Sequence, residues 1–358
     1  MSTIRRRVVH MLALPVAAVL ALLGVITVVE VGAYRSAGAS ERAVTLVLSV
    51  QDLVQELQTE RGLTAGLLGG NVGFRAELAP ARQRVDDKRA AVERLVSAGG
   101  KAGAGGTAET RVSAALRRLD GLAAVRAGTD TGAAGRAPTF SFYTGRIADL
   151  TDVDYNLDSS ADSRLRRGVE ALQALGDAKE ATAQERAFLN GVFSASGFES
   201  GEFLRFITMR AAKDAALAAF RRYATPTQQQ ARDYVLNTGA AQTAAYFEQV
   251  ALNAGDGRNL QVNPQSWWSA LTTVLDDMQR LQQHVGSVIR ARAETLQDRA
   301  TARMGVLLGV VLACLAGAVY LAVVASRSIA RPLAVLAAEA NRMAGERLPE
   351  AVRRATAG

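Results

Sequence analysis

Two short segments carry the same charged pair at the same place in a helical pattern. One reads Thr59-Glu60-Arg61-Gly62-Leu63-Thr64-Ala65-Gly66-Leu67-Leu68. The other, 125 residues further on, reads Gln184-Glu185-Arg186-Ala187-Phe188-Leu189-Asn190-Gly191-Val192-Phe193. Aligning them superposes the Glu-Arg pairs and a later glycine, Gly66 on Gly191. Each arginine also falls on an apolar track of alternating three- and four-residue steps. The first runs Val47, Val50, Val54, Leu57, Arg61, Thr64, Leu68, and the second Leu172, Leu175, Lys179, Thr182, Arg186, Leu189, Phe193. An arginine on such a seam loses its water, at a cost of several kcal/mol unless something compensates its charge. Two compensations are open. Each guanidinium can pair with a carboxylate such as Glu60, Glu185, Asp86 or Asp87. Alternatively, the two arginines converge on one small anion, for which a planar, permanently charged fork of donors is suited. In that case Thr64 and Thr182, on the same tracks, add hydroxyl donors. Gly66 and Gly191 remove bulk a turn later and let a facing helix approach closely.

Other chemistries find little to work with. The 358-residue chain has two histidines, His10 and His284, and one cysteine, Cys314. That excludes a disulfide framework and a cysteine-rich zinc site, and leaves no His-based triad. Asp152, Asp154, Asp158 and Asp162 resemble a cation cluster, but they lack the glycine and terminal glutamate of a calcium loop and read as a polar helix junction. No phosphate-cradling glycine loop or nucleophile elbow occurs. No catalytic residue, metal site or cofactor is expected. The net charge of +8 comes from dispersed arginines; only Lys88, Lys101, Lys179 and Lys213 are lysines. Without a basic block interleaved with aromatics, no nucleic-acid partner is expected.

The elements that must position Arg61 and Arg186 are helices. Helical periodicity dominates, and aromatics make up only 5% of the chain, too few for a β-sandwich or barrel. The first helix ends at Gly69-Gly70-Asn71. Further helices are expected over 75–97, 108–126, from Phe140, over about 161–196 and over about 199–223. Thr225-Pro226, an N-cap followed by proline, opens one to about 253. A last helix opens at Asn263-Pro264, where at least one of Trp267 and Trp268 packs in a core. The glycine stretches at 99–106 and 128–138 read as loops. The fold class is all-α, as two adjacent four-helix-type bundles.

Two charge-free stretches, Met11–Val29 and Met304–Ala325, bracket this domain. Each exceeds the roughly 18 apolar residues that flag a transmembrane helix. Arg5, Arg6 and Arg7 precede the first, which places the N-terminus in the cytoplasm. A cleaved signal peptide is the alternative for this stretch, with Ala37-Gly38-Ala39 as the small-residue site. The expected organisation is a cytoplasmic N-terminus (1–10), transmembrane helix 1 (11–29), an extracytoplasmic helical domain (30–303), transmembrane helix 2 (304–325) and a cytoplasmic helix (326–358). Cys314 lies in the second span as packing.

Leu53-Val54-Gln55-Glu56-Leu57-Gln58-Thr59-Glu60-Arg61-Gly62, then Arg84 to Asp87, Tyr143 to Leu150 and Gln184-Glu185-Arg186 resemble the nitrate- and nitrite-sensing (NIT) domain of bacterial signalling proteins. The resemblance covers roughly residues 45–290. It implies two helical bundles holding nitrate or nitrite between arginines of different helices, here Arg61 and Arg186. Arg84 and Arg210 read as solvated surface charges. Arg331-Pro332-Leu333, Leu336, Ala340, Met343-Ala344 and Leu348-Pro349 look like the first helix of a HAMP signal relay. Such a sensor usually feeds a histidine kinase, whose residues do not occur in this sequence. The resemblances together imply a two-pass bacterial membrane sensor, a homodimer, relaying a helix shift to a downstream kinase or signalling partner. A receptor for another small anion and a structural anchor are the competing readings.

Overall fold

Strong helix formers fill the chain, and among the described residues they fold into ten α-helices with no strand. These are α1 (Ser2–Leu68), α2 (Arg75–Lys101), α3 (Thr107–Arg118), α4 (Leu122–Thr131), α5 (Arg136–Thr151), α6 (Ser163–Ser194), α7 (Glu202–Tyr223), α8 (Pro226–Leu236), α9 (Gly239–Ala254) and α10 (Pro264–Ala325). This computed structural model describes residues 2–101, 106–155, 162–255 and 259–325, a few positions from 335 to 342, and side chains from Ala21 onward. The all-α class expected from periodicity holds. The segment resembling a HAMP helix lies almost wholly outside the described residues, as does Asp158.

Local signals account for most helix ends. Asp162 caps α6 by accepting the Leu165 amide at 2.8 Å. Thr225 and Gln228 form a reciprocal capping box at the start of α8. The single helix expected over 225–253 is two, because the Thr238 hydroxyl takes the Ala241 amide and starts α9 afresh. The expected 108–126 helix also divides, into α3, a 3-10 turn over Leu119–Gly121, and α4. α1 stops where Gly70 takes a φ of +104°, a conformation glycine adopts at little cost.

The chain divides into two compact units, Ser36–Leu296 and a second made of Met1–Arg35 with Gln297–Gly358. The first holds two cores. One gathers Val50, Leu53, Val54 and Leu57 of α1 with Val85 and Val92 of α2, Val112 and Leu116 of α3, and Tyr143, Ile147 and Leu150 of α5. The other joins Leu172, Leu175, Leu189 and Phe193 of α6 to Phe206 and Phe220 of α7 and to Trp267, Leu271, Val274 and Met278 of α10. Each fully buried Leu, Val or Phe contributes about 1.5–3 kcal/mol. A small third cluster packs Leu63 and Leu67 on Phe74, Leu78 and Trp268. In the second unit Leu22, Val25, Val28, Val306, Leu308 and Val319 are exposed. The helical stretches Ala21–Leu68 and Pro264–Leu321 are long and apolar enough to cross a membrane.

Candidate anion-binding site

The two repeated segments pack against each other. The Asn190 amide of α6 donates to the Gly62 carbonyl of α1 at 2.9 Å. A Cβ on Gly66 would lie 2.4 Å from Asn190 Nδ2, and one on Gly191 would lie 3.3 Å from the Ala65 carbonyl. The two glycines therefore permit the close crossing that their positions in the repeat suggested. A Cβ on Gly62 would strike the Trp268 ring at 2.3 Å, so α10 also closes on this point.

Arg61 is buried at this crossing, 1% exposed. Its Nη1 donates to Glu180 Oε1 at 2.6 Å and to Thr144 Oγ1 at 3.1 Å, and its Nη2 donates to Glu180 Oε2 at 3.1 Å. Its outer flank lies 5.5 Å from the Phe140 ring centroid. The Nε–H, although buried, has no hydrogen-bond partner.

Arg186 is equally buried but, among the described residues, has no carboxylate within ion-pair distance. Nη1 donates to Thr272 Oγ1 at 2.9 Å, and Nη2 to the Gln58 carbonyl at 3.3 Å, one turn before Arg61. The guanidinium lies 4.1 Å from the Trp268 ring centroid, close enough for a cation–π contact. Its Nε–H is also buried without a partner. Burial pushes this guanidinium down to about 9, and the neighbouring Arg61 charge adds to the push, against longer-range help from Asp276 and Glu180. Of the two buried arginines, only Arg61 is paired directly with a carboxylate.

The carboxylates that sequence offered as partners are used elsewhere. Glu60 accepts Arg126 at 2.8 and 2.9 Å and the Tyr143 hydroxyl at 2.8 Å. Glu185 faces Lys213 Nζ at 2.6 Å. Asp86 accepts Arg126, and Asp87 accepts Gln83. Thr64 is buried beside the Tyr143 phenol. The Thr182 hydroxyl donates to the Ala178 carbonyl of its own helix at 2.8 Å. Arg84 pairs with Glu56 on the surface, and Arg210 approaches Glu248 at 3.8 Å, about 40% exposed. Asp152 and Asp162 stand at the end of α5 and the start of α6, as a polar helix junction requires.

Several residues around the arginines had no sequence signal of their own. Glu180 is six residues before Arg186 and off the apolar track. Thr144 and Thr272 come from helices distant in sequence. Trp267 and Trp268 were expected to pack, yet they also hold Arg186: the Trp267 indole donates to the Arg186 carbonyl at 3.0 Å. Lys179 was on the track and could have been singled out. It is fully buried, donates to Gln279 Oε1, and is pushed down to about 7 by burial.

A solved structure, of the NasR transcription antiterminator, shares the fold at a TM-score of 0.65 and 17% identity, covering 76% of this chain and 78% of that one. A comparison with curated proteins gives no match. A family model described as nitrate and nitrite sensing matches residues 52–290, about two thirds of the chain, and that stretch contains both arginines and every residue that touches them. The chain belongs to the nitrate- and nitrite-sensing (NIT) family.

Proposed function

We propose that the chain is a membrane-bound input module in which nitrate or nitrite binds between Arg61 and Arg186. The observation that carries this reading is two buried guanidiniums against one paired carboxylate: Arg61 holds Glu180, while Arg186, its Nε–H unpaired, has no ion-pair partner among the described residues. Leaving a buried donor unpaired costs about 1–3 kcal/mol, more when it is charged. A planar oxyanion would take up such donors and neutralise the second guanidinium. The sparse compensation of Arg186 supports the same reading. Nitrate has only four heavy atoms, and the ceiling for tiny ligands is about −1.5 kcal/mol per atom. Roughly −6 kcal/mol then limits the dissociation constant to about tens of micromolar at best.

The groups around the site suggest how occupancy reaches the membrane. Arg61 belongs to α1, while Thr272 and Trp268, which hold Arg186, belong to α10. Both helices include the apolar stretches read as spans. An anion that changes how α1 and α10 brace α6 shifts one span against the other, by a sliding or rotation on the order of 1–2 Å. In this reading residues 30–303 are extracytoplasmic and both termini are cytoplasmic. The HAMP-like segment from Arg331 to Leu348 receives the shift, pairs with a second copy, and passes the signal to a histidine kinase domain or another output partner.

The test is a thermal melt of the full chain in lipid nanodiscs with nitrate, nitrite, chloride or acetate at matched ionic strength. A saturable rise for nitrate or nitrite alone is expected, on the order of 2.7 kcal/mol at a hundred times the dissociation constant. Arg61→Met and Arg186→Met should each abolish it. No rise with either anion, or an unchanged rise in both variants, would sink the assignment.

A further inference from the structure

The geometry points to Glu180 as a built-in stand-in for the ligand: its carboxylate fills the planar-oxyanion position on Arg61, and the external anion binds by exchanging with it. This inference rests on the anion reading above and adds the residue that sets its threshold.

Four N–H groups converge on this carboxylate. Oε1 accepts Arg61 Nη1 at 2.6 Å and Gln184 Nε2 at 2.8 Å; Oε2 accepts Arg61 Nη2 at 3.1 Å and Gln58 Nε2 at 2.8 Å. They come from α1 and α6, and together they form a cradle for two oxygens of one delocalised anion. Nitrate and nitrite present the same planar O–X–O edge as a carboxylate. The cradle therefore fits them without rebuilding, provided the carboxylate leaves.

It has somewhere to go. Glu180 is the more accessible member of the pair, 12% against none for the Arg61 side chain. It borders a cavity of about 240 Å³ between α5, α6 and α7, lined also by Thr144, Asp177, Gln184 and Met209. The same cavity gives an anion its way in. Asp177, on its wall, is held above the ordinary carboxylate range by burial and by the charges of Asp152 and Glu180. A second carboxylate swung toward it meets repulsion, so the resting position of Glu180 on Arg61 is favoured and the external anion must outcompete it.

The experiment is calorimetric titration of the full chain in nanodiscs with sodium nitrate, comparing the parent with Glu180→Gln and Glu180→Ala. Thermal melts of the same proteins in sodium formate supply the missing carboxylate from solution. With the competitor removed, the nitrate dissociation constant should fall at least ten-fold in both variants. Formate should stabilise Glu180→Ala more than it stabilises the parent. Equal or weaker nitrate binding in the folded variants overturns the proposal, because it means that the anion binds without displacing Glu180. If Glu180→Ala does not fold, Glu180→Gln decides alone. Failure of the underlying reading has a different signature: Arg186→Met would then keep the parent's nitrate response.

Discussion

The two Glu-Arg pairs are alike in sequence and opposite in how their charges are met. In the first, Arg61 has Glu180, and Glu60 has Arg126 and Tyr143 in full hydrogen-bond contact. In the second, Arg186 is left with a hydroxyl, a carbonyl and an indole face, and Glu185 has a lysine shared with Glu248. The difference follows from the surroundings of each helix. The Glu60 face of α1 looks into the first core, where α2, α4 and α5 supply Arg82, Arg126 and Tyr143. The Arg186 face of α6 looks at α10, which offers tryptophan and threonine. A repeated motif thus gives one buried guanidinium that is neutralised and one that is not, and the second leaves room for a ligand's charge.

The largest way to break this comparison is to remove the two glutamates in turn. Glu60→Ala strands the Tyr143 hydroxyl and removes two of the five Arg126 hydrogen bonds, and should cost about 3–5 kcal/mol. Tyr143 reports the same environment: burial and the Glu60 charge hold its phenol well above the ordinary range. Glu185→Ala should cost less than Glu60→Ala. Burial already pushes the Glu185 carboxyl up to about 7, and Lys213 keeps Glu248 at 2.7 Å when Glu185 is gone. Thermal melts of the full chain in nanodiscs measure both. Equal losses would mean that the two pairs are energetically equivalent after all.

The next effect concerns one position of the apolar tracks. Lys179 stands where the first track has Val54. Its amine reaches a carboxylate only through the Gln279 side chain, whose Nε2 donates to Asp52 at 3.3 Å. Burial lowers its pKa from 10.5 to about 7. Between those values the unfolded chain binds a proton that the fold does not, so stability rises with pH across that window, by at most about 1.4 kcal/mol per unit. Below about 7 the folded amine is charged and no further slope arises from it. Lys179→Val should remove the slope and stabilise the protein at pH 7 by about 1–4 kcal/mol. A melting temperature that climbs with pH between 7 and 10 as steeply in the variant as in the parent would assign the slope to other groups.

These contrasts also mark how far sequence could see. The helices, the two arginines on their seams and the glycines at the crossing follow from period and repeat, which are local properties of one chain segment. The α8–α9 break was missed because a single threonine hydroxyl at Thr238 outweighs a continuous helical pattern. The partners of the arginines were missed for a different reason. Glu180, Thr144 and Thr272 come to the site from three helices, and nothing in their own neighbourhoods distinguishes them from surface residues. Glu60 and Glu185 lie beside the arginines in sequence, but adjacent residues on a helix face different directions, so each was free to be claimed by another element.

The smallest expected effect sharpens the comparison at the crossing itself. Gly66 and Gly191 occupy the same place in the repeat, yet the space around them differs. A Cβ on Gly66 would lie 2.4 Å from Asn190 Nδ2 and 2.5 Å from the Phe74 ring, and both of those groups are buried. On Gly191 its nearest neighbours would be Arg136 Cδ at 2.9 Å and the Ala65 carbonyl at 3.3 Å, a looser fit than at Gly66. Gly66→Ala should therefore cost about 1–3 kcal/mol of overpacking, offset by up to about 1 kcal/mol of helix propensity. Gly191→Ala has the same propensity gain against a smaller clash and should be near neutral. The functional readout follows the same order. Forcing Asn190 off the Gly62 carbonyl moves α1 against α6 one turn from Arg61, so Gly66→Ala should weaken the nitrate response more than it lowers the melting temperature of the anion-free protein. If instead Gly191→Ala is the more damaging change, the close approach that matters is the Arg136 side of the crossing, and the repeat's two glycines have exchanged the roles assigned to them.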